Sequence, residues 1–312
     1  MGTRKNYRTM GKPTHENGCI TCLLIIQMNT MISKKPDKRF GFGDNWNKYA
    51  RLVDSERIDI AEKSLRELLG TNSLSGKSFL DIGSGSGIFS LAARKLGARV
   101  LSFDFDPDSV ACTSQMRAVY FGDDPEWKVV QGSVLDKSFL YSPGKFDVVY
   151  AWGVLHHTGS MWQAMENVCD TVKYGGKLIV AIYNDQGWIS HYWWLVKYLY
   201  NHSSIARGLL IVLHVPYLLV ARLLLRAIQG RLKLERGMSY WHDMLDWLGG
   251  YPFETATPDE VERYLHHHGF VLVSAKICGK KHGCNEYVFI KQQNEGDNKL
   301  STAETDKKHD HI

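Results

Sequence analysis

No apolar run in this chain reaches the roughly 18 residues that a membrane-spanning helix needs,. Cysteine is scarce, with six in 312 residues. Cys112, Cys169, Cys278 and Cys284 are scattered, and Cys19 and Cys22 form a lone CxxC with no second pair and no His cluster nearby. That excludes a disulfide framework and gives no zinc or redox spacing. Internal repeats are absent. "CITCLLII" lacks a convincing cleavage site, which argues against a secretory signal, and "MGTRKN" has Asn6 where a myristoylation site wants Ser or Thr. Net positive charge is also missing from most of the chain. The formal +5 resides in residues 1–38, which carry seven Lys/Arg and two Asp/Glu, whereas the remainder has 31 of each. A neutral body argues against a nucleic-acid groove. Residues 1–38 read as a flexible basic extension and residues 292–312 as a disordered polar tail.

What is present is a soluble composition, 44% hydrophobic and 23% charged, in a chain long enough for a real core,. From about residue 77, strand and helix patterns alternate. "KSFLDIG", "ARVLSFDF", "WKVVQGSV", "KFDVVYAWG" and "GGKLIVAIY", the last after a Gly-Gly turn, read as strands. "SGIFSLAARKLG", "PDSVACTSQMRAVYF" and "SMWQAMENVCDTV" read as helices between them. This rhythm predicts right-handed crossovers and a parallel sheet with helices on both faces. Residues 186–256 break the rhythm and contain no clear strand. It resumes with "TPDEVERYLHHHGF", where Thr257 caps and Pro258 opens a helix. Two strands, "FVLVSAKIC" and "NEYVFIK", follow. The triple His at 266–268 sits at that helix's end, where adjacent side chains point in different directions and cannot converge on one ion.

The chemistry concentrates in "FLDIGSGSGIFS", Phe79 to Ser90. A glycine-rich turn between strand and helix lets a ligand approach the backbone, and it lies where open α/β sheets bind ligands. Asp104 ends the next strand, 21 residues after Gly83, where an acid can hold ribose hydroxyls,. A nicotinamide or flavin dinucleotide and S-adenosylmethionine compete for such a loop. The dinucleotide pattern wants G-x-G-x-x-G, but Gly83, Gly85 and Gly87 give G-x-G-x-G, and Ile88 takes the third-glycine place. Asp81 stands just before the loop. A carboxylate there opposes a pyrophosphate and suits an ammonium and a sulfonium, so the loop favours S-adenosylmethionine.

"LDIGSGSG", the acid in "SFDFDP", "GSVLD" and "FDVVYAWGVLHH" resemble the ordered motifs of class I S-adenosylmethionine-dependent methyltransferases. The resemblance is close over roughly residues 76–184 and looser over the last helix and two strands. It implies a Rossmann-like seven-stranded sheet of order 3-2-1-4-5-7-6 with strand seven antiparallel, in a domain spanning 39–291 with a helical insert at 186–256. It also implies that Asp81, Gly83, Ser84, Gly85 and Gly87 surround the methionine part of the cofactor. Asp104 would hold the ribose, Phe105 would lie beside the adenine, Ser133 and Val134 would line its edge, and Trp152 would lie near the reacting end.

Within that family the layout is similar to small-molecule O-methyltransferases of ubiquinone biosynthesis, with "FGFGDNWNKYA" before the core and Asn184 closing strand five. Those enzymes resemble E-x-x-E-H after strand four, with acids implicated in metal binding. Here Gly153 and His156 occupy the acid positions, so no metal is expected. An acceptor hydroxyl must lose a proton, and His156 or His157 after strand four is placed to take it. Trp46, Tyr183, Asn184, His242 and Asp243 are the expected acceptor contacts.

The insert is basic, aromatic and apolar, with seven Lys/Arg and one Glu between residues 190 and 237. It reads either as a helical lid over the core or as a lid that also touches a membrane interface through residues 188–233. The reading that results is a cytoplasmic enzyme, with peripheral membrane contact left open, that methylates a small hydrophobic molecule at a hydroxyl. Methylation of RNA or protein, a cofactor-binding module without turnover and a nicotinamide oxidoreductase are the alternatives.

Overall fold

A computed structural model of the chain describes residues 40, 55–216, 247–279 and 283–293. Strands β1 (Ser78–Ile82), β2 (Arg99–Asp104), β3 (Trp127–Gln131), β4 (Phe146–Trp152) and β5 (Val172–Tyr183) are parallel. They are followed late in the chain by β6 (Phe270–Lys276) and β7 (Cys284–Lys291). The seven form one sheet of order β3-β2-β1-β4-β5-β7-β6, and β7 runs antiparallel to both its neighbours. This is the topology that the sequence motifs implied. The parallel part follows from the interposed helices, because parallel neighbours need a crossover, while the short β6–β7 connection can only return antiparallel.

Helices α1 (Ser55–Leu69), α2 (Ile88–Lys95), α3 (Pro107–Phe121), α4 (Lys137–Tyr141) and α5 (Met161–Asp170) surround the first five strands. Helix α3 starts where predicted: Pro107 needs no amide partner in the first turn, and the Asp106 side chain accepts from the Asp108 N–H,. The core divides at the sheet. Ile58, Ala61 and Leu65 of α1 and Leu91 to Ala93 of α2 cover one face. Met161, Met165 and Val168 of α5, with Val261 and Leu265 of the last helix, cover the other. That last helix, α8 (Pro258–His267), opens on a capping box in which Thr257 and Glu260 each satisfy the other's backbone N–H,.

Strand β5 corrects the sequence reading. It does not begin after Gly175-Gly176 but runs through them from Val172, with a register shift against β4 between Phe146 and Val148. Gly175 has φ 72°, and a Cβ on Gly176 would come 2.8 Å from the Lys173 carbonyl oxygen. The glycine pair therefore makes an irregularity within the strand rather than a turn ahead of it.

The described part of the insert contains no strand and forms two helices, α6 (Trp188–His202) and α7 (Ser204–Val215). Their buried residues Trp193, Val196, Tyr200 and Ile211 join Leu248 and Phe253 in a third cluster, against which Phe40, Tyr183 and Trp247 pack. The expected extension, the tail beyond residue 293 and the middle of the insert lie outside the described residues, as do Trp46, His242 and Asp243.

Candidate functional site

The glycine loop leaves β1 and enters α2 at the carboxyl edge of the sheet. Gly83, Gly85 and Gly87 have φ of 68°, 55° and 78°, a region that side chains rarely tolerate,. Gly83 is also needed for space, because a Cβ there would lie 2.4 Å from Val154 Cγ2 in the segment after β4. The donor-side loop and the post-β4 segment are thus in direct contact. Ser84 Oγ bonds Thr113 Oγ1 at 2.9 Å, which fastens the loop to α3.

Asp104 closes β2, and its two carboxylate oxygens accept from the Gly85 and Asp106 amides, each at 3.0 Å. The side chain expected to hold a ribose therefore also shapes the loop, and each oxygen keeps a second lone pair for a ligand. Burial raises its pKa,. Phe105 beside it is 56% exposed, an open apolar face at the rim. Ser133 accepts from the Leu135 amide at 3.2 Å, and Val134 is buried with its carbonyl held by Asn167 at 2.9 Å. Trp152 stacks on Tyr150 at 5.7 Å.

Asp81 is the most constrained acid in the site. It is 3% exposed and receives the Ser90 hydroxyl at 2.5 Å. Ser90 lies 2.6 Å from Ser102, which receives the Trp127 indole N–H at 2.9 Å. An indole nitrogen only donates. Ser90 donates its single hydroxyl proton to Asp81, so Ser102 is the donor to Ser90 and the chain has one direction,. Burial still dominates and raises the Asp81 pKa from 3.8 to about 7, with the Ser90 hydrogen bond opposing it and the Asp104 charge adding to it,. A carboxylate withdrawn from water at the foot of a ligand loop is suited to a cationic group, because it supplies the negative charge and hydrogen-bond acceptors that an ammonium or sulfonium needs. Sequence reasoning found Asp81 and missed Ser90, Ser102 and Trp127, which look like ordinary members of a helix and two strands.

On the other side of Val154 the chain makes a short 3-10 turn, Leu155–His157. It brings together three of the sequence candidates. His156 rings lie 4.1 Å from Tyr183 and 4.5 Å from His157, centroid to centroid. His156 is completely buried, and neither ring nitrogen has a partner of normal hydrogen-bond geometry. Its pKa is driven far below the usual imidazole range, first by burial and then by His157 and Lys197, with only weak opposition from the Ala181 backbone. His156 is therefore a neutral ring. His157 differs: its Nδ1 lies 2.6 Å from the Pro252 carbonyl. A carbonyl only accepts, so Nδ1 carries the proton and the neutral ring keeps its lone pair on Nε2.

Tyr183 is surrounded by Phe253 at 5.0 Å and Trp247 at 5.4 Å. Lys197, fully buried on α6, donates to the Trp247 carbonyl and lies 4.9 Å from the rings of both Trp247 and Phe253. The 247–254 stretch is pinned to the turn by the Glu254 amide bonding the His156 carbonyl at 3.0 Å, and the Glu254 carboxylate caps α5 at the Met161 amide at 3.1 Å. Asn184 is not turned toward this cluster by its hydrogen bonds. Its amide accepts from Asn285 and donates to the Gly279 carbonyl, both at 2.9 Å, clamping β5 to the β6–β7 connection.

The strand order, the glycine loop and the acid at the end of β2 define a class I S-adenosylmethionine-dependent methyltransferase fold. A family model described as a methyltransferase domain matches residues 53–275, and the chain belongs to that family. Among curated proteins it is 29% identical over 138 residues to the mitochondrial ubiquinone biosynthesis O-methyltransferase of Schizosaccharomyces pombe, covering 44% of this chain and 48% of that protein. It is 42% identical over 78 residues to the ribosomal protein L11 methyltransferase of Prochlorococcus marinus, covering 25% of this chain and 26% of that one. The chain thus spans about half of the first relative's length and about a quarter of the second's. Among solved structures, the magnesium protoporphyrin IX methyltransferase of Synechocystis aligns with TM-score 0.47 and 12% identity over 86% of this chain and 95% of that one.

Proposed function

We propose that this protein transfers a methyl group from S-adenosylmethionine to a small hydrophobic acceptor, at a hydroxyl oxygen. The single observation that carries the reading is the contact of Gly83 with Val154, which sets the glycine loop and its buried Asp81 against the turn whose His156 packs on Tyr183 of the aromatic cluster. When bound, the cofactor supplies a methyl carbon activated by a positively charged sulfur. Asp81 would face the cationic methionine part, Asp104 the ribose, and Phe105 and Val134 the adenine. The carboxyl ends of β4 and β5 form the acceptor side. Tyr183, Trp247 and Phe253 exclude water and give an apolar acceptor a surface to lie on. His157, with its proton fixed on Nδ1 by Pro252, takes the acceptor hydroxyl proton on Nε2. His156 stays neutral and positions Tyr183.

The ubiquinone O-methyltransferase relatives support oxygen as the acceptor atom. The ribosomal protein L11 methyltransferase relatives match over 73 to 172 residues and support a protein acceptor as the second reading. The test is incubation of the purified chain with methyl-labelled S-adenosylmethionine and an organic-extractable metabolite fraction. A labelled product of low mass is expected. Label confined to protein or RNA would move the acceptor to a macromolecule, and cofactor binding without any label would reduce the protein to a binding module. Calorimetry with NAD in place of the methyl donor should show no binding.

A further inference from the structure

The cysteines are scattered along the sequence, but the fold sets two of them opposite one another. Strands β6 and β7 pair antiparallel, with Ser274 against Val288, Ala275 against Tyr287 and Lys276 against Glu286. Two steps further, just past the end of β6, the same register reaches Cys278 and Cys284. Directly opposed residues share a face of the sheet. Lys276 and Glu286 show it, since their side chains meet in an ion pair at 3.6 Å, and the two cysteines are the next pair on that face. The contacts agree. Cys278 Sγ lies 3.6 Å from the Gly283 carbonyl oxygen, which belongs to the peptide bond leading into Cys284. Both residues are thiols, and both are half-buried. The end of the hairpin is also held in place. The Cys278 amide donates to Asn285 Oδ1 at 3.0 Å, and the Gly279 carbonyl receives the Asn184 side-chain amide at 2.9 Å. On the other side, the Asn184 backbone N–H bonds the Gly283 carbonyl at 3.2 Å. One residue at the end of β5 thus fixes the position after Cys278 and the position before Cys284.

We propose that Cys278 and Cys284 form a reversible cross-strand disulfide, with a small-molecule disulfide of the glutathione type as the oxidant. Opposed residues of an antiparallel pair have Cα atoms about 4.5–5.5 Å apart, inside the range of about 4.4–6.8 Å that a disulfide spans. One cysteine thiolate attacks a sulfur of the small disulfide, whose S–S bond breaks and releases one small thiol. The second cysteine thiolate attacks the protein sulfur of that mixed disulfide and releases the other small thiol. The two protein thiols give up two protons and two electrons, and the small disulfide takes them. Burial raises the Cys278 thiol pKa, so the exchange should quicken as pH rises,. Cys284 also pairs with Tyr183 in the register of β7 against β5, which places the bridge one strand away from the aromatic cluster. The proposal does not depend on which molecule the protein methylates.

Treatment of the full chain with glutathione disulfide at about pH 8 tests it, read by peptide mapping without reduction and by a thermal melt. The expected map joins the peptides of Cys278 and Cys284 and leaves no glutathione on either. The closed loop spans seven residues, so the melting temperature should rise by about 5 °C and return on reduction with dithiothreitol,. Cys278→Ser and Cys284→Ser should each keep one glutathione on the remaining cysteine of the pair and show no such rise. Glutathione on both cysteines without a bridge would overturn the proposal, as would two unmodified thiols or a link from either cysteine to a third. A bridge that lowers the melting temperature would also overturn it, because the pair would then be joined only by breaking the strand register.

Discussion

Protonation of Asp81 should set the affinity for the methyl donor. In the free protein its pKa is about 7, because burial outweighs the Ser90 hydrogen bond. A cationic ligand binds the ionised carboxylate, so the apparent dissociation constant scales as one plus the ratio of proton concentration to acid constant. With a midpoint near 7 the affinity should fall about fivefold from pH 7 to pH 6 and about tenfold more to pH 5, together about 50-fold or about 2.3 kcal/mol. This window keeps the ligand's own α-amino group protonated, since such groups titrate near 8. Calorimetry at half-unit steps measures it, with circular dichroism confirming the fold at each pH. Ser90→Ala removes a hydrogen bond that holds the pKa down and should move the midpoint upward. Asp81→Asn should bind weakly at every pH, with no midpoint near 7. A dissociation constant constant within about twofold from pH 5 to pH 7 would refute the reasoning.

The same shift has a cost for the unliganded fold, with a definite sign. A carboxyl whose folded pKa is raised contributes stability below its unfolded pKa near 3.8 and loses it as pH rises through about 7,. The gap corresponds to about 4 kcal/mol at 1.36 kcal/mol per pH unit. Asp81→Asn should therefore raise the melting temperature of the free protein at pH 8 while weakening cofactor binding.

Further substitutions separate donor side, acceptor side and scaffold. Gly83→Ala meets Val154 and a φ of 68°, and should weaken cofactor binding; adding Val154→Ala relieves the contact but not the backbone strain, so calorimetry should show partial rescue. His157→Gln should lower kcat with little change in cofactor affinity and remove the acidic limb of the pH–rate profile, whereas His156→Phe, which removes two unpartnered nitrogens, should leave stability unchanged or raise it by about 1–3 kcal/mol in a denaturant melt,. Asn184→Ala takes the acceptor from the Asn285 amide and leaves the Gly279 carbonyl with the longer Gln186 contact, and should cost about 1 kcal/mol by the same melt, without altering cofactor affinity,.

The donor side was legible in the sequence because its determinants are local. Strand, glycine turn, helix and strand-ending acid follow one another between Phe79 and Asp104, and each carries a signal that neighbours suffice to decode. The seven-strand order came from the family resemblance that those motifs carry, and the structure has it. The Asp81 relay was not legible, because Ser90, Ser102 and Trp127 meet only when α2, β2 and β3 are assembled. The hydrogen bonds of Asn184 were not legible for a related reason. The end of β5 is a natural place for an acceptor contact, but the partners that claim its amide, Asn285 and Gly279, lie about a hundred residues away. The Gly-Gly pair at 175–176 looked like a turn because a strand that tolerates a register shift and a turn use glycine for the same conformational freedom,.

The acceptor side resists local reading more deeply, since no single segment contains it. His157 comes from the turn after β4, Tyr183 from the end of β5, Lys197 from α6, and Trp247, Pro252 and Phe253 from the return of the chain before α8. Each contact depends on the others: the Pro252 carbonyl fixes the His157 tautomer, the Glu254 amide holds the turn that carries both histidines, and Glu254 also caps α5. Buried polar groups in such a network are costly when one partner is lost, so the segments constrain one another. Burial already raises the Glu254 pKa, with the Met161 and Gly159 amides drawing it back down, and substitution to Ala removes the carboxylate that holds both amides while leaving its own backbone N–H on the His156 carbonyl. The loss should therefore exceed the ~1 kcal/mol of an ordinary helix cap. It should also reach the His157 side of the site, 97 residues away along the chain, rather than the glycine loop. A drop in turnover at unchanged cofactor affinity is the expected signature, because Glu254 bonds the turn and α5 and not the glycine loop.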